Sequence, residues 1–249
     1  MTDMFWVPLV RDVITVTGKD AASYLHSQLS QDVSSMEAGD ARQSFVLEPT
    51  GKIVALLRVT RGGLDRFVLD TDPGCGDAVV TRLARFKIRV EVDFELTTQT
   101  WRAIRRLGGT AIQGVIPAWR MDGSAVDVFA GQAAMPTSIP EGSWEQYESE
   151  RLAAGWPVMG TDVTTDMIPA ETGVVDVAVS FVKGCYPGQE LVERMDSRGS
   201  RAPRSLVTME CPAGTKVGDD VIVNGEVVGR YTSVLGERAM AIVKRGTIV

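Results

Sequence analysis

An α+β fold with antiparallel sheets and helices is what this sequence predicts, on three observations. Strand and helix patterns are interleaved without the regular βαβ rhythm of a parallel sheet. The chain beyond Arg204 reads as strands and turns alone. Hydrophobic residues make up 44% of the 249, enough to bury a real core.

Taken in order, Val13 to Val16 predicts a short strand and Gly18 a turn. Asp20 then caps a helix whose apolar stripe runs through Ala22, Leu25 and Leu29. His26 lies beside that stripe with no acidic or nucleophilic neighbour to frame it, so it is given no catalytic role. Phe45 to Leu47 and Ile53 to Val59, joined by Glu48-Pro49-Thr50-Gly51, predict a hairpin, and Phe67 to Leu69 extends it into a meander. The spacing of Val79, Val80, Leu83 and Phe86 predicts a helix over about Asp77 to Phe86, and Val90 to Phe94 alternates as a strand. Trp101 to Leu107 predicts a further strand with Arg102 and Arg106 on one face and Arg105 on the other, a basic patch read as solvated strand-face charge.

Ser143-Trp144-Glu145-Gln146 fits a capping box, and Gly155 ahead of Trp156-Pro157 supplies the helix stop. The segment from Gly160 to Gly173, rich in Thr, Asp, Gly and Pro, is too long for an ordinary connector and is a candidate functional loop. Past Arg204, short strands follow at 205–209, 221–223, 227–234 and 240–243, with Asn224-Gly225 as a two-residue hairpin signal. Residues 202–249 are therefore read as a small β-barrel appended to the α+β part, 1–201.

The formal charge of −6 argues against coating a nucleic acid, which needs a basic surface. One histidine forbids a multi-His metal site, and any Ser-His or Cys-His device would have to use His26. Cys75, Cys185 and Cys211 are odd in number and far apart, so free thiols are expected rather than disulfides or a metal site. No run is long and apolar enough to span a bilayer, and the start lacks the pattern of a signal peptide, so the cytoplasm is the expected compartment.

Chemistry concentrates at Lys183-Gly184-Cys185-Tyr186-Pro187-Gly188-Gln189-Glu190. The residues from Gly188 to Met195 read as a short helix, which would set Cys185 at or just before a helix N-terminus, where backbone N–H groups and Lys183 favour a thiolate. A small buried hydrophobe is the other reading of a lone cysteine. The same eight residues match the K-G-C-Y-x-G-Q-E signature, and the chain resembles the YgfZ family of folate-binding proteins related to the glycine cleavage T protein. Further likeness lies in Gly18-Lys19-Asp20 with Leu25 and Asp32-Val33, in Gly51-Lys52, in Arg151 to Gly155 with Pro157 and Gly160, and in Ile168-Pro169 with Glu171.

The resemblance implies a tripartite T-protein-like fold. Two intimately joined α+β subdomains, meeting near 95–100, would surround a central folate cavity, with the C-terminal β-barrel beside them. It also implies tetrahydrofolate or a one-carbon derivative as cofactor, and a role in iron–sulfur cluster assembly or repair. A folate needs a donor–acceptor edge for its pterin, apolar walls and cations for its glutamyl tail. Glu171, Gln189 and Glu190 are candidates for the pterin edge, Tyr186 and Trp156 for the walls, and Arg194, Arg198 or Arg120 for the tail, with Gly184 and Gly188 shaping the loop. Glu190 and Arg194 also read as a plain i, i+4 pair.

Two departures weigh against aminomethyltransferase activity. The T protein's hairpin acids, in G-G-V-I-D-D, correspond to Ala55 and Leu56, and the glutamate of its L-R-L-E-A-G stretch corresponds to Ala153. The function expected is a tetrahydrofolate-binding accessory protein with Cys185 as a working thiol. The alternative is a folate-dependent aminomethyltransferase or demethylase in which Asp162, Asp166 or Glu171 replaces the missing acids.

Overall fold

A computed structural model describes residues 4–107, 114–129, 138–197 and 202–247. Seven strands form one antiparallel sheet: β1 (Phe5–Thr17), β2 (Ala41–Leu47), β3 (Ile53–Arg61), β4 (Arg66–Thr71), β5 (Asp93–Arg105), β6 (Ile116–Pro117) and β7 (Ala125–Val128). Their spatial order is β2-β3-β4-β1-β5-β7-β6. β3 is buried along almost its whole length, which accounts for its near-continuous apolar run. β1 and β5 pair antiparallel from Phe5↔Arg105 to Thr17↔Asp93. The two strands read at Val90–Phe94 and Trp101–Leu107 are thus one strand, its middle hidden from a hydrophobic pattern by Thr97, Thr98 and Gln99. The joint expected near 95–100 falls inside it.

Helices α1 (Ala21–Gln28) and α2 (Gly76–Ala84) pack on the sheet through Tyr24, Leu25, Val79 and Leu83. Asp20 gives α1 no side-chain cap; its carboxylate instead accepts from the Glu91 amide at 2.8 Å, tying the start of α1 to the segment ahead of β5. α3 (Trp144–Ala153) carries the capping box as read: Ser143 Oγ accepts from the Gln146 amide (3.1 Å), and Gln146 Oε1 accepts from the Ser143 amide (2.8 Å). The segment 160–173 is a structural strap rather than an open loop. Asp162, 1% exposed, pairs with Arg151 at 2.8 Å and accepts from Thr232 and Ser233. The Met167 carbonyl accepts from the Ile53 amide, and a short 3-10 turn, Pro169–Glu171, precedes α4 (Val175–Ala178).

After α5 (Gln189–Ser197), the last strands β8 (Arg204–Glu210), β9 (Asp220–Val223), β10 (Glu226–Leu235) and β11 (Arg238–Lys244) form a second antiparallel sheet, ordered β8-β11-β10-β9. Its edges β8 and β9 are not paired with each other, so the described strands make an open four-stranded sheet where the sequence suggested a barrel. Asn224 and Gly225 turn between β9 and β10 with φ of 54° and 82°, the left-handed pair that a tight hairpin demands. Leu206 and Met240 join the core of the large sheet, and Val221, Tyr231 and Ala241 form a smaller core of their own. No helix among the described residues is long and apolar enough to cross a membrane.

Replacing Ser143 with Ala should lower unfolding free energy by about 1 kcal/mol, through loss of the cap on α3. Urea denaturation checks this, and the midpoint should fall at an unchanged slope.

Candidate functional site

The signature segment is a loop laid against α1 and the β2–β3 hairpin. Lys183 Nζ donates to the carbonyls of His26 (2.5 Å) and Leu29 (2.9 Å), which lie at the C-terminal end of α1, where helix carbonyls lack partners. The same ammonium sits 4.7 Å over the Tyr186 ring. Burial is the main cause that pulls the Lys183 pKa down to about 8, with Asp32 and Cys185 opposing it. His26 also adjoins the loop: a Cβ built on Gly184 would lie 3.9 Å from its Nε2, and its Nδ1 accepts from the Val33 amide at 3.3 Å. Burial and then Lys183 lower the His26 pKa, with Asp32 opposing them. The sequence held no local sign of this contact, because 157 residues separate the partners.

Pro187 does not open the helix. Tyr186 to Gln189 form a β-turn in which the Gln189 amide donates to the Tyr186 carbonyl (3.2 Å) and Gly188 takes φ of +84°, with α5 starting at Gln189. Cys185 therefore lies in the exposed loop before this turn, not at a helix N-terminus. Gly188 is required twice over, since a Cβ there would stand 2.8 Å from the Glu48 carbonyl oxygen and 3.0 Å from Gly51 Cα. Gly51, at φ +85°, faces Leu191 in the same way, 2.7 Å from a built Cβ. Hairpin and signature turn thus meet backbone to backbone.

A second feature, at the centre of the large sheet, escaped the sequence reading. Charged side chains from five strands of the sheet alternate in sign along one largely buried chain of ion pairs. Arg105 Nη1 meets Asp127 (3.0 Å), and Asp127 meets Arg58 Nη1 (2.9 Å). Arg58 forks onto Asp70 (2.9 and 3.1 Å), Asp70 meets Arg11 Nε (3.0 Å), and Arg11 reaches Asp72. Arg105, expected on a solvated face, is 1% exposed. Burial alone would raise the Asp127 carboxyl, but Arg105 and Arg58 together hold it below the usual range. The local signal was a charge set inside an apolar stretch, as Arg58 is in β3 and Asp127 in β7.

These charges floor a small cavity of about 30 Å³ whose walls include Leu56, Trp119, Tyr147 and Trp156. Arg105 stacks against Trp119 (4.1 Å) and Tyr147 (4.9 Å), while its Nε and Nη2 are buried without a hydrogen-bond partner. Trp119 and Met121 hold positive φ, 50° and 62°, a strained backbone for bulky side chains.

Among the residues proposed from sequence, Trp156 lines this cavity and none of residues 183–190 does. Tyr186 is buried under Lys183 instead. Glu171 is buried, pairs with Arg204 (2.9 Å) and accepts from the Ile168 amide (3.1 Å), so it offers no open pterin edge. Gln189 accepts from the Tyr186 amide (3.3 Å) and donates to Glu193 (2.5 Å). Glu190 and Arg194 form the exposed i, i+4 pair at 3.0 Å. Arg120 is engaged with Asp176 (3.0 Å) and the Gly173 carbonyl (3.0 Å), and Arg198 lies outside the described residues.

No family model matches the chain. It is 24% identical over 257 residues to the tRNA-modifying protein YgfZ of Vibrio vulnificus, covering 88% of this chain and 77% of that one. The protein of the same name from Shigella dysenteriae is 25% identical over 220 residues, 75% of this chain and 65% of that protein. In structure the chain is similar to the glycine cleavage system aminomethyltransferase T of Bartonella henselae, with a TM-score of 0.78 at 19% identity over 97% of this chain and 78% of that chain.

Asp127→Asn leaves two buried guanidinium groups without their shared counter-charge and should cost about 3–5 kcal/mol of stability by thermal or urea unfolding. Gly188→Ala should cost about 1–3 kcal/mol, and amide exchange should rise in both the 48–51 turn and the start of α5.

Proposed function

Because the chain is YgfZ-type in sequence and T-protein-like in fold, we propose that it is a tetrahydrofolate-binding accessory protein that supports iron–sulfur cluster assembly or repair, with Cys185 as its working thiol. The observation that carries the folate reading is Arg105. Its unpartnered Nε and Nη2 form a fixed two-donor fork between aromatic walls, matched to a flat ring with an acceptor edge. The chemistry of the lining fits a pteridine. Its free volume does not yet, since about 30 Å³ holds little more than a water or two. Entry requires the wall to move, and Trp119, held at φ +50°, is a strained residue in that wall. A bound reduced folate would bring one-carbon chemistry at its ring nitrogens; the chain's own residues orient the ring and exclude water.

The accessory role rests on Cys185. It is exposed, whereas Cys75 is partly covered, its thiol pushed up by burial, and Cys211 is buried. One cysteine cannot supply the ligands of a cluster, so in this reading the thiol acts on a partner's sulfur or iron rather than holding a resident cluster. The relatives' name, tRNA-modifying protein, fits such support of a modifying enzyme better than direct RNA contact by a chain of charge −6. Aminomethyl transfer finds no support. Leu56 stands in the cavity wall, and Asp162, Asp166 and Glu171 are held by Arg151 and Arg204.

Titration calorimetry with tetrahydrofolate and its formyl and methyl forms, on wild type and Cys185→Ser, separates pocket from thiol. At least one form should bind both proteins alike; failure of all three removes the folate reading. In cells lacking the protein, Cys185→Ser should stay folded yet fail to restore iron–sulfur enzyme activity, and full rescue would remove the thiol assignment. Iodoacetamide should label Cys185 well before the other two cysteines.

A further inference from the structure

Away from the central cavity, a pocket of about 410 Å³ opens between the β2–β3 turn, α2 and the strap at Thr165. Its apolar walls are Ile53, Val54 and Ala78; Lys52 and Arg85 stand exposed among its lining residues. Arg82 lines it from the last turn of α2 and is 3% exposed. Its guanidinium is stacked on Phe86 at 4.2 Å, and Nε, Nη1 and Nη2 all lack a hydrogen-bond partner. The nearest carboxylate oxygen, Glu48 Oε2, is 3.6 Å from Nε, too far for a hydrogen bond.

A desolvated guanidinium with three idle donors is costly unless something completes it. Burial lowers the Arg82 pKa and Glu48 only partly offsets this, in keeping with an unfinished charge pair. Completion by Glu48 alone would take a carboxylate whose side chain is 41% exposed and pull it inward. For an incoming oxyanion the stacking on Phe86 holds the planar fork in place, and planar forks match carboxylate and phosphate oxygens; the nitrogens, covered in the unliganded chain, are uncovered as it enters. Three cations, Lys52, Arg82 and Arg85, outnumber Glu48 and Asp77 around the pocket. A volume of about 410 Å³ suits a small organic molecule rather than a bare ion.

We propose that this pocket is a binding site for a small amphipathic anion, a carboxylate or phosphate carried on an apolar body, whose oxygens pair with Arg82 and whose body lies on Ile53, Val54 and Ala78. Lys52 and Arg85 steer the anion, and Glu48 competes with it for the fork.

The test is a titration of the full chain, labelled with ¹⁵N-arginine, with benzoate, phenyl phosphate and the neutral benzyl alcohol, following arginine Nε–H signals by NMR. Benzoate or phenyl phosphate should shift the Arg82 Nε–H saturably, and the tighter of the two identifies the head group. Benzyl alcohol should not shift it. Arg82→Lys should weaken binding about tenfold or more, and the exposed pair Lys52→Gln with Arg85→Gln should weaken it several-fold on an intact fold, which keeps the test decisive should Arg82→Lys not fold. Glu48→Gln should tighten binding. Equal binding of benzyl alcohol, no saturable shift with either anion, unchanged affinity in the Lys52 and Arg85 double variant, or loss of binding in Glu48→Gln would each overturn the proposal.

Discussion

The buried run of alternating charges through Arg105, Asp127, Arg58, Asp70, Arg11 and Asp72 is the constraint on which the large sheet depends. It draws one charged side chain from each of β1, β3, β4, β5 and β7, so a slip of any of these strands by one residue would turn a charge to the wrong face and strand its neighbours. Such ion pairs add little net stability over an apolar core, because desolvation consumes most of the attraction. Their value here is selective. They favour one register, and they leave Arg105 with two spare donors between the rings of Trp119 and Tyr147.

From that sheet the β2–β3 hairpin carries the geometry outward. Its turn touches the signature loop through Gly51 and Gly188, while Glu48 and Lys52 of the same turn line the Arg82 pocket. The Cys185 loop is held on its other side by Lys183, anchored on the end of α1. Thiol loop and pocket therefore share one short turn, and a change in the backbone of residues 48–51 is felt at both.

Local patterns made much of this legible. The Ser143 box, the Asn224-Gly225 turn, the meander and the α+β class each follow from residues close in sequence, where propensity and tertiary demand agree. What stayed hidden depends on partners distant in the chain. Arg105 reads as a solvated charge until Asp127 and Arg58 are placed beside it, and β5 breaks in two until its polar middle is paired with β1. At the signature the sequence singled out Cys185, but a proline that can begin a helix can also begin a turn, and the glycine after it decided for the turn. The candidate pterin acids depend on distant or neighbouring cations as Arg105 depends on carboxylates: Glu171 is paired with Arg204 and Glu190 with Arg194.

The position of β1 bears on how the chain assembles. It precedes the other described strands of the sheet in sequence, yet it lies in the middle of the sheet, between β4 and β5. Its pairing with β5 runs its whole length, so residues 5–17 must wait for residues 93–105 before their second edge is covered. Contacts of such long sequence separation form slowly. Residues 5–17 are thus among the last of the sheet to be completed, and a chain that has folded without β5 exposes the centre of its own sheet as an edge.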